Sequence, residues 1–199
     1  MKILTTMSTL LLAAALALSG CAGGDEGTSE QALLEAPPGD QGLGLSLHAS
    51  LSPAESVTYC HYVALPENGG AGLDVAMAEH RFSEGSTEIR LYRTDLGIDD
   101  VWAQPGRFAC DEAELEGAPS YASADSDGSL DLPQGVALHF EPREVVLLVV
   151  RFSNSSDAAI DAEARLNLWF ATEPVSERAE TFLPGCEPAG TARADAGGC

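Results

Sequence analysis

Histidine and cysteine are the residues of this sequence whose side chains most readily do chemistry. The four histidines, His48, His61, His80 and His139, are widely separated, and imidazole is a common ligand of zinc and copper. A metal site would require these residues to converge, whereas a single histidine on a strand is more often a solvated or hydrogen-bonded side chain. Cys60 precedes His61, but neighbouring residues on a strand point to opposite faces and cannot act as nucleophile and base. We therefore predict neither a native metal site nor a thiol nucleophile.

Two loop sequences resemble ligand-binding motifs but lack residues that those motifs need. Residues 125–129 (DSDGS) have the look of a calcium loop without the third acid before the glycine and without the terminal bidentate glutamate. Residues 68–72 (NGGAG) join two predicted strands with no helix behind them, which favours a hairpin over a phosphate cradle. We find no Ser-His-Asp arrangement with a strained elbow sequence.

The elements that carry these residues are predicted to be strands, because apolar residues recur at every second position. The clearest alternation is at 160–170, whereas 145–150 is continuously apolar and is expected to be buried on both faces. The predicted strands are 43–51, 57–65, 73–82, 87–93, 135–141, 145–152 and 160–170. Turn sequences separate them, and the acidic stretch 111–131 is predicted to be an exposed loop. This pattern predicts an all-β, antiparallel β-sandwich formed by a single domain.

The charge of the chain excludes several classes of partner. Its 199 residues include 31 acidic and 10 basic side chains, for a formal net charge of −21. The only lysine is Lys2, so the remaining nine basic residues are arginines. Nucleic acid is excluded as a natural partner because phosphate binding needs clustered basic residues, and a basic membrane-binding patch is excluded for the same reason.

The first residues predict export and lipidation. Lys2 is followed by a short apolar run at 10–18 (LLLAAALAL) and then by Ser-Gly-Cys, which resembles the bacterial lipobox. Residues 1–20 are therefore predicted to be a signal peptide, and Cys21 is predicted to carry the lipid, which makes the membrane a partner through the anchor. Ala22 stands where an aspartate would retain a lipoprotein in the inner membrane. We expect an outer-membrane lipoprotein of the bacterial cell envelope, facing the periplasm or the cell surface.

Composition divides the rest of the chain into a tether, a domain and a tail. Residues 21–42 are rich in glycine, proline and acidic residues and are predicted to be a flexible tether. Residues 43–172 are predicted to be the folded domain. Residues 173–199 are predicted to be a C-terminal tail, poorly ordered beyond 184 except where cysteines hold it.

The four cysteines other than Cys21 allow three disulfide pairings, and their spacing does not choose among them. The sequences around two of them do carry a resemblance. Four short segments occur in an order that resembles the N-terminal domain of the copper type II, ascorbate-dependent monooxygenases. They are 58–60 (TYC), 63–66 (VALP), 106–112 (GRFACDE) and 132–136 (LPQGV). That family includes the peptidylglycine α-hydroxylating and dopamine β-hydroxylating enzymes, and the resemblance runs from about residue 45 to 171.

The resemblance implies a jelly-roll sandwich in which Cys60 pairs with Cys110. Cys186 and Cys199 would then pair with each other or remain free. In the family, this domain holds copper through an adjacent histidine pair and a third histidine on another strand. The corresponding positions here are Thr87, Glu88 and Arg151, so the copper ligands are absent.

The guanidinium at position 151 cannot ligate a metal at any ordinary pH. The second family domain, which carries the hydroxylating copper, has no room in the 27 residues after position 172. We therefore assign no catalytic residue and predict no cofactor, although copper is the cofactor of the family.

Arg151 lies on an otherwise apolar strand, where an unpaired guanidinium is costly to bury. The resemblance places Glu88 opposite it, which predicts a Glu88–Arg151 ion pair at the degenerate copper site. The alternative is that Arg151 extends to solvent and Glu88 faces water.

The predicted function is that of a lipid-anchored, non-catalytic binding or structural module, with a protein partner that the residues do not identify. One alternative is a copper-binding or redox accessory protein that uses the surviving histidines. Another is a subunit of an ascorbate-dependent copper monooxygenase that completes the active site of another chain.

Overall fold

The computed structural model describes residues 33–102, 106–115 and 117–179, and almost all of its regular structure is β-strand. A short helix, α1, spans Ile98–Trp102, and single 3-10 turns lie at Asn68–Gly70 and Glu112–Glu114. The strands are β1 (Gly42–Leu51), β2 (Ser56–Ala64), β3 (Leu73–Phe82), β4 (Ser86–Arg93), β5 (Phe108–Ala109), β6 (Tyr121–Ser123), β7 (Asp127–Asp131), β8 (Val136–Phe140), β9 (Val145–Ser153), β10 (Ile160–Phe170) and β11 (Glu177–Ala179).

The strands form two sheets. The first has the order β1-β10-β3-β8-β11, and β7 also pairs with β3. The second has the order β5-β2-β9-β4-β6. All pairs are antiparallel except that of β11 with β8, which is parallel. The prediction of an all-β sandwich is confirmed, and each of the seven predicted strands is present with ends shifted by at most one residue.

The main core lies between the sheets and is built by the alternating positions of the strands. Leu166 and Leu168 of β10 and Leu148 and Val150 of β9 are buried in this core. Because side chains alternate along a strand, the intervening residues of β9 point away from this core. Val145, Leu147 and Val149 are buried nevertheless, which confirms that 145–150 is covered on both faces.

A second, smaller core covers the outer face of the second sheet. It contains Cys60, Tyr92, Leu147 and Val149, with partly buried side chains from the segment around β5 packed against it. The predicted Cys60–Cys110 disulfide is confirmed, with a Cα–Cα distance of 5.8 Å. This bond holds the segment that contains β5 against β2, and therefore over the outer face of the sheet.

The prediction that 111–131 is an exposed loop is wrong in part. The stretch contains β6, which pairs with β4, and β7, which pairs with β3. Tyr121 is fully buried in the main core. The acidic residues of β7 remain exposed, because this strand is held by backbone pairing and buries little more than Leu130. A strand of this kind has no apolar alternation for the sequence to display.

Part of the predicted tether is packed on the domain. Residues 33–41, which we name the strap, lie along the outer face of the first sheet. Leu34 is only 8% exposed, and its carbonyl accepts a hydrogen bond from Arg165 Nη1 at 2.8 Å. Asn167 Nδ2 donates to the Glu35 carbonyl at 2.8 Å. A Cβ at Gly44 would lie 2.9 Å from a strap side chain, so the absence of a side chain on β1 allows this close approach.

The beginning of the predicted tail also adds to the fold. β11 pairs with β8 through residues 136–138, and Ser176 Oγ donates to the Gly135 carbonyl at 3.1 Å. The remainder of the predicted tail, including Cys186 and Cys199, lies outside the described residues, as do the predicted signal peptide and Cys21.

Candidate functional site

The candidate site lies on the outer face of the second sheet, where β4 and β9 pair beside the disulfide. Glu88 of β4 is the register partner of Arg151 of β9, and both point outward. Their neighbours Ile89 and Val150 point into the main core, which fixes the face on which the charged pair lies.

The predicted Glu88–Arg151 ion pair is present. Arg151 Nη1 lies 3.3 Å from Glu88 Oε2. The side chain of Arg151 is 46% exposed, whereas that of Glu88 is 18% exposed. The arginine therefore reaches the surface, as the alternative prediction required, and still pairs with the carboxylate.

Arg90 is a second guanidinium on the same face, two residues beyond Glu88 on β4. Its Nε donates to Glu88 Oε1 at 2.7 Å, and its Nη1 lies 3.0 Å from Glu112 Oε2. The guanidinium also reaches the Tyr92 hydroxyl at 3.5 Å. Arg90 thus joins the two carboxylates from one side, as Arg151 does from the other.

Glu112 completes the site from a different part of the chain. It accepts two hydrogen bonds from Arg151, from Nε to Oε1 at 3.1 Å and from Nη2 to Oε2 at 2.6 Å. Thr58 Oγ1 of β2 also donates to Oε1, at 3.1 Å. Glu112 follows Cys110 by two residues, so the disulfide sets the position of this carboxylate above the sheet. We name Glu88, Arg90, Glu112 and Arg151 the carboxylate–guanidinium network.

The network favours the ionised form of Glu112. Burial alone would raise the pKa of this carboxyl, but hydrogen bonds from Arg151 and Thr58 and the charges of Arg90 and Arg151 outweigh it and lower the pKa below 4.5. Burial likewise opposes the charge of Arg90, and hydrogen bonds with Tyr92 and Glu88 raise its pKa. The four side chains therefore form a compact, mutually neutralising group.

An open depression of about 490 Å³ lies beside the network. It is lined by Thr58, Ala109, Cys110, Asp111, Glu112 and Arg151. The side chain of Asp111 accepts a hydrogen bond from the Ala113 backbone at 2.9 Å and so caps the 3-10 turn that carries Glu112.

The residues at the expected copper positions do not fit copper. Each oxygen of Glu88 faces a guanidinium, and Arg151 has no lone pair to offer a metal. Thr87 is exposed, and its hydroxyl donates to the Arg151 carbonyl at 3.1 Å. No chemical step through a metal can be derived from these side chains.

Two of the four histidines are buried and hydrogen-bonded. His80 Nε2 lies 3.0 Å from the Asp125 carbonyl and therefore carries the proton, because a carbonyl only accepts. His80 Nδ1 then accepts from the Tyr121 hydroxyl, at 2.5 Å. Burial lowers the pKa of His80, against the opposing effect of Asp125 and other nearby acids. His139 Nδ1 lies 2.7 Å from Asp74 Oδ1.

The other two histidines are solvent-accessible to different degrees. His48 is exposed on β1, and burial of part of the ring lowers the pKa of His61 on β2. Within the described ranges, no group of three or more histidine, cysteine, aspartate or glutamate side chains is arranged to hold a metal ion.

Sequence reasoning missed Arg90 and Glu112. Arg90 had a local signal, because residues two apart on a strand share a face. Glu112 had a weaker one, its place two residues after a cysteine expected to bond to β2. What the sequence did not show was that the segment after Cys110 turns back over β9.

Comparisons with known proteins identify no family. No protein-family model and no curated protein matches the chain. In the part of the chain that the structure describes, no helix is long and apolar enough to cross a membrane. One solved structure with some likeness is that of Tomato Aspermy Virus, at 11% sequence identity and a TM-score of 0.31, covering 73% of this chain and 84% of that chain. A likeness this weak carries no argument about the function of this protein.

Proposed function

We propose that this protein is a lipid-anchored envelope protein whose domain is a non-catalytic binding or structural module. We further propose that the domain is a jelly-roll related to the N-terminal domain of the copper type II monooxygenases, with the copper ligands lost.

The strand order supports the jelly-roll. The strands β1-β10-β3-β8 face β2-β9-β4-β6, and the chain passes from one sheet to the other between β1 and β2 and between β3 and β4. Such alternation is typical of double Greek-key sandwiches.

The carboxylate–guanidinium network is the observation that carries the non-catalytic role. Its two glutamates and two arginines neutralise one another, and every carboxylate oxygen faces at least one guanidinium. Such a group connects strands and a loop, but it offers neither a metal ligand nor a free base. Its role in this proposal is to hold the segment after Cys110 over the sheet, which gives the depression beside it a fixed shape for a binding partner.

The anchor and the location belong to the same proposal. Cys21 would carry the lipid, and the acidic domain would face the periplasm or the cell surface on the outer membrane. Replacing Cys21 with Ser should release the protein from the membrane fraction. If the Cys21→Ser protein still fractionates with the outer membrane, the lipid anchor is refuted.

Copper titration of the purified protein tests the non-catalytic role. We expect neither Cu(I) nor Cu(II) to bind more tightly than to a generic acidic surface, and we expect no copper above background after growth in copper-supplemented medium. A stoichiometric, submicromolar copper site in calorimetry would overturn the proposal and favour a copper-binding accessory protein. Loss of that site on replacing His48 or His61 would assign it to the surviving histidines.

Co-purification tests the remaining alternative. A subunit that completes another chain's active site should be recovered with a two-domain copper monooxygenase and should change its rate. Recovery with such an enzyme, together with a changed hydroxylation rate, would replace the non-catalytic proposal.

A further inference from the structure

Strand β1 forms a long unpaired edge of the first sheet. Among the strands that the structure describes, β1 has one partner, β10, which pairs with it on one side over ten residues. The other described edge strands, β5, β6, β7 and β11, have two to five residues, and β5 covers only Tyr59 and Cys60 of β2. An open strand edge presents a row of backbone donors and acceptors to which another strand can bind.

The direction of these backbone groups follows from the register. Gln41, just before β1, accepts from the Phe170 backbone at 2.9 Å, which places the odd-numbered positions in the hydrogen-bonded pairs with β10. The even-numbered residues of β1 therefore direct their N–H and C=O groups to the open side. These residues are Gly44, Ser46, His48 and Ser50, and all four are exposed.

Arg107 already binds one of the backbone carbonyls that β1 directs to its open side. Its Nη1 donates to the His48 carbonyl, and its guanidinium carbon lies 4.9 Å from the ring centre of Tyr59 on β2. The ring contact holds the guanidinium at the middle of the β1 edge. Among the residues that the structure describes, the outward backbone groups of Gly44, Ser46 and Ser50 have no hydrogen-bond partner.

We infer that the β1 edge is a self-association surface for a second copy of this chain, and that Arg107 controls access to it. Two antiparallel copies of β1 related by a two-fold axis at Leu47 would place Ser46 opposite the partner copy's His48. The four outward residues of each strand would then form eight backbone hydrogen bonds. The His48 carbonyls accept two of these bonds, so Arg107 must withdraw before they form.

The absence of charge on β1 is what allows a second copy to be the occupant, because the net charge of −21 on each chain otherwise opposes self-association. β1 (GLGLSLHASL) contains no acidic or basic residue apart from a histidine, in a chain of formal charge −21. Pairing at β1 therefore places no like charges directly opposite each other. Leu45, Leu47 and Ala49 point into the core of each copy, so the paired sheets continue each other with their apolar faces on the same side. The two-fold pairing occupies the β1 edge of both copies, so no β1 edge remains for a third copy and association stops at a dimer.

The test compares the full-length protein with two substitutions, by light scattering of size-exclusion peaks over a range of concentrations. Arg107→Ala should lower the dissociation constant of the dimer about tenfold, because two hydrogen bonds of the eight become available. Its mass should approach twice the single-chain value of 20.7 kDa at concentrations where the unchanged protein is monomeric. Arg93→Ala removes an equal charge at a site away from β1, where Arg93 pairs with Glu144, and should leave association unchanged.

Ser46→Pro supplies the second variant. It removes an outward N–H that β10 does not use, so the fold should persist while the dimer is lost. Adding Ser46→Pro to Arg107→Ala should restore the monomer. The inference is overturned if Arg107→Ala stays monomeric, if it assembles beyond a dimer, or if Ser46→Pro does not reverse its association.

If Arg107→Ala folds poorly, hydrogen exchange of the unchanged protein tests the same inference. In the unchanged protein, the amides of Ser46 and Ser50 should become more protected as concentration rises, and Ser46→Pro should abolish the change at Ser50. Protection of these amides that is independent of concentration would mean that another segment of the same chain covers the edge, and it would refute association with a second copy.

Discussion

Replacing Glu112 with Gln should loosen the segment that the disulfide places over the second sheet. The substitution keeps the size of the side chain but removes its charge, so the charge-assisted bonds from Arg151 and Arg90 become ordinary ones or are lost. Thr58 can still donate to the remaining carbonyl oxygen. The arginines would keep Glu88 as their only nearby anion in the network.

The expected cost follows from the exposure of the partners. Glu112 is 18% exposed and Arg90 26%, whereas Arg151 is 46% exposed and its ion pair is weakened by solvent. Charge-assisted hydrogen bonds to partly buried groups contribute about 1.5–3 kcal/mol and exposed ion pairs about 0–1 kcal/mol. Allowing for the bonds that Gln retains, we expect a loss of about 1–2 kcal/mol. In a domain of this size the melting temperature would fall by about 2–8 °C.

Chemical denaturation at pH 7 measures this loss, with Glu84→Gln as the matched control. Glu84 is exposed, and no side-chain contact is found for it in the described part of the chain. The free-energy difference should shrink on acidification, because the pKa of Glu112 is lowered in the folded state. The stabilisation is complete above the ordinary value of 4.5 and is lost as the pH falls below it, since the unfolded chain then binds the proton first.

Two results would refute this reasoning. If Glu112→Gln costs no more than Glu84→Gln, the network does not stabilise the fold. If the cost is real but identical at pH 7 and at pH 3, the charge of Glu112 is not its source.

Three further predictions concern the same sheet and its neighbour. Arg151→Met should cost more alone than in a Glu88→Gln background, by about 0.5–1 kcal/mol in a double-mutant cycle, and additive costs would mean that the pair contributes nothing. Reducing the Cys60–Cys110 bond, which spans 50 residues, should lower the unfolding free energy by about 4 kcal/mol in the chain-entropy model, measured by denaturation with and without reductant; equal stabilities would contradict it. Because the pKa of His80 is lowered in the folded state, stability should decline as the pH falls below 6.5, and His80→Gln should flatten that decline between pH 7 and 5; an unchanged slope would show that other groups cause it.

The long strands could be predicted because each has one face in the main core. β10 shows this most clearly, since Ala164, Leu166 and Leu168 are buried and alternate with polar residues. The short strands could not be predicted in the same way. β7 has one partly buried apolar residue, Leu130, and β11 has three residues held by parallel pairing with β8.

The candidate site was predictable only where its residues face each other across adjacent strands. Glu88 and Arg151 are such a pair, and the resemblance to the copper type II monooxygenase domain placed them opposite each other. Glu112 lies on a loop, where no periodicity fixes the direction of a side chain. Its position depends on the disulfide and on two arginines that already lie on the sheet. The strap escaped prediction for a similar reason, because the carbonyls of Leu34 and Glu35 are bound by side chains of β10 and not by strand pairing.

The strap also sets how far the domain can move from an anchored Cys21. With the strap held on the sheet, 12 residue steps separate Cys21 from Leu33, and a fully extended chain of that length spans about 43 Å at most. A tether that ended at Gly42 would have 21 steps and a limit of about 76 Å. If Cys21 carries the proposed lipid, the domains of neighbouring molecules would be confined to one thin layer above the bilayer. Within that layer the β1 edges of two copies would meet at a far higher local concentration than in free solution, so an association too weak to persist in dilute buffer would become substantial on the membrane.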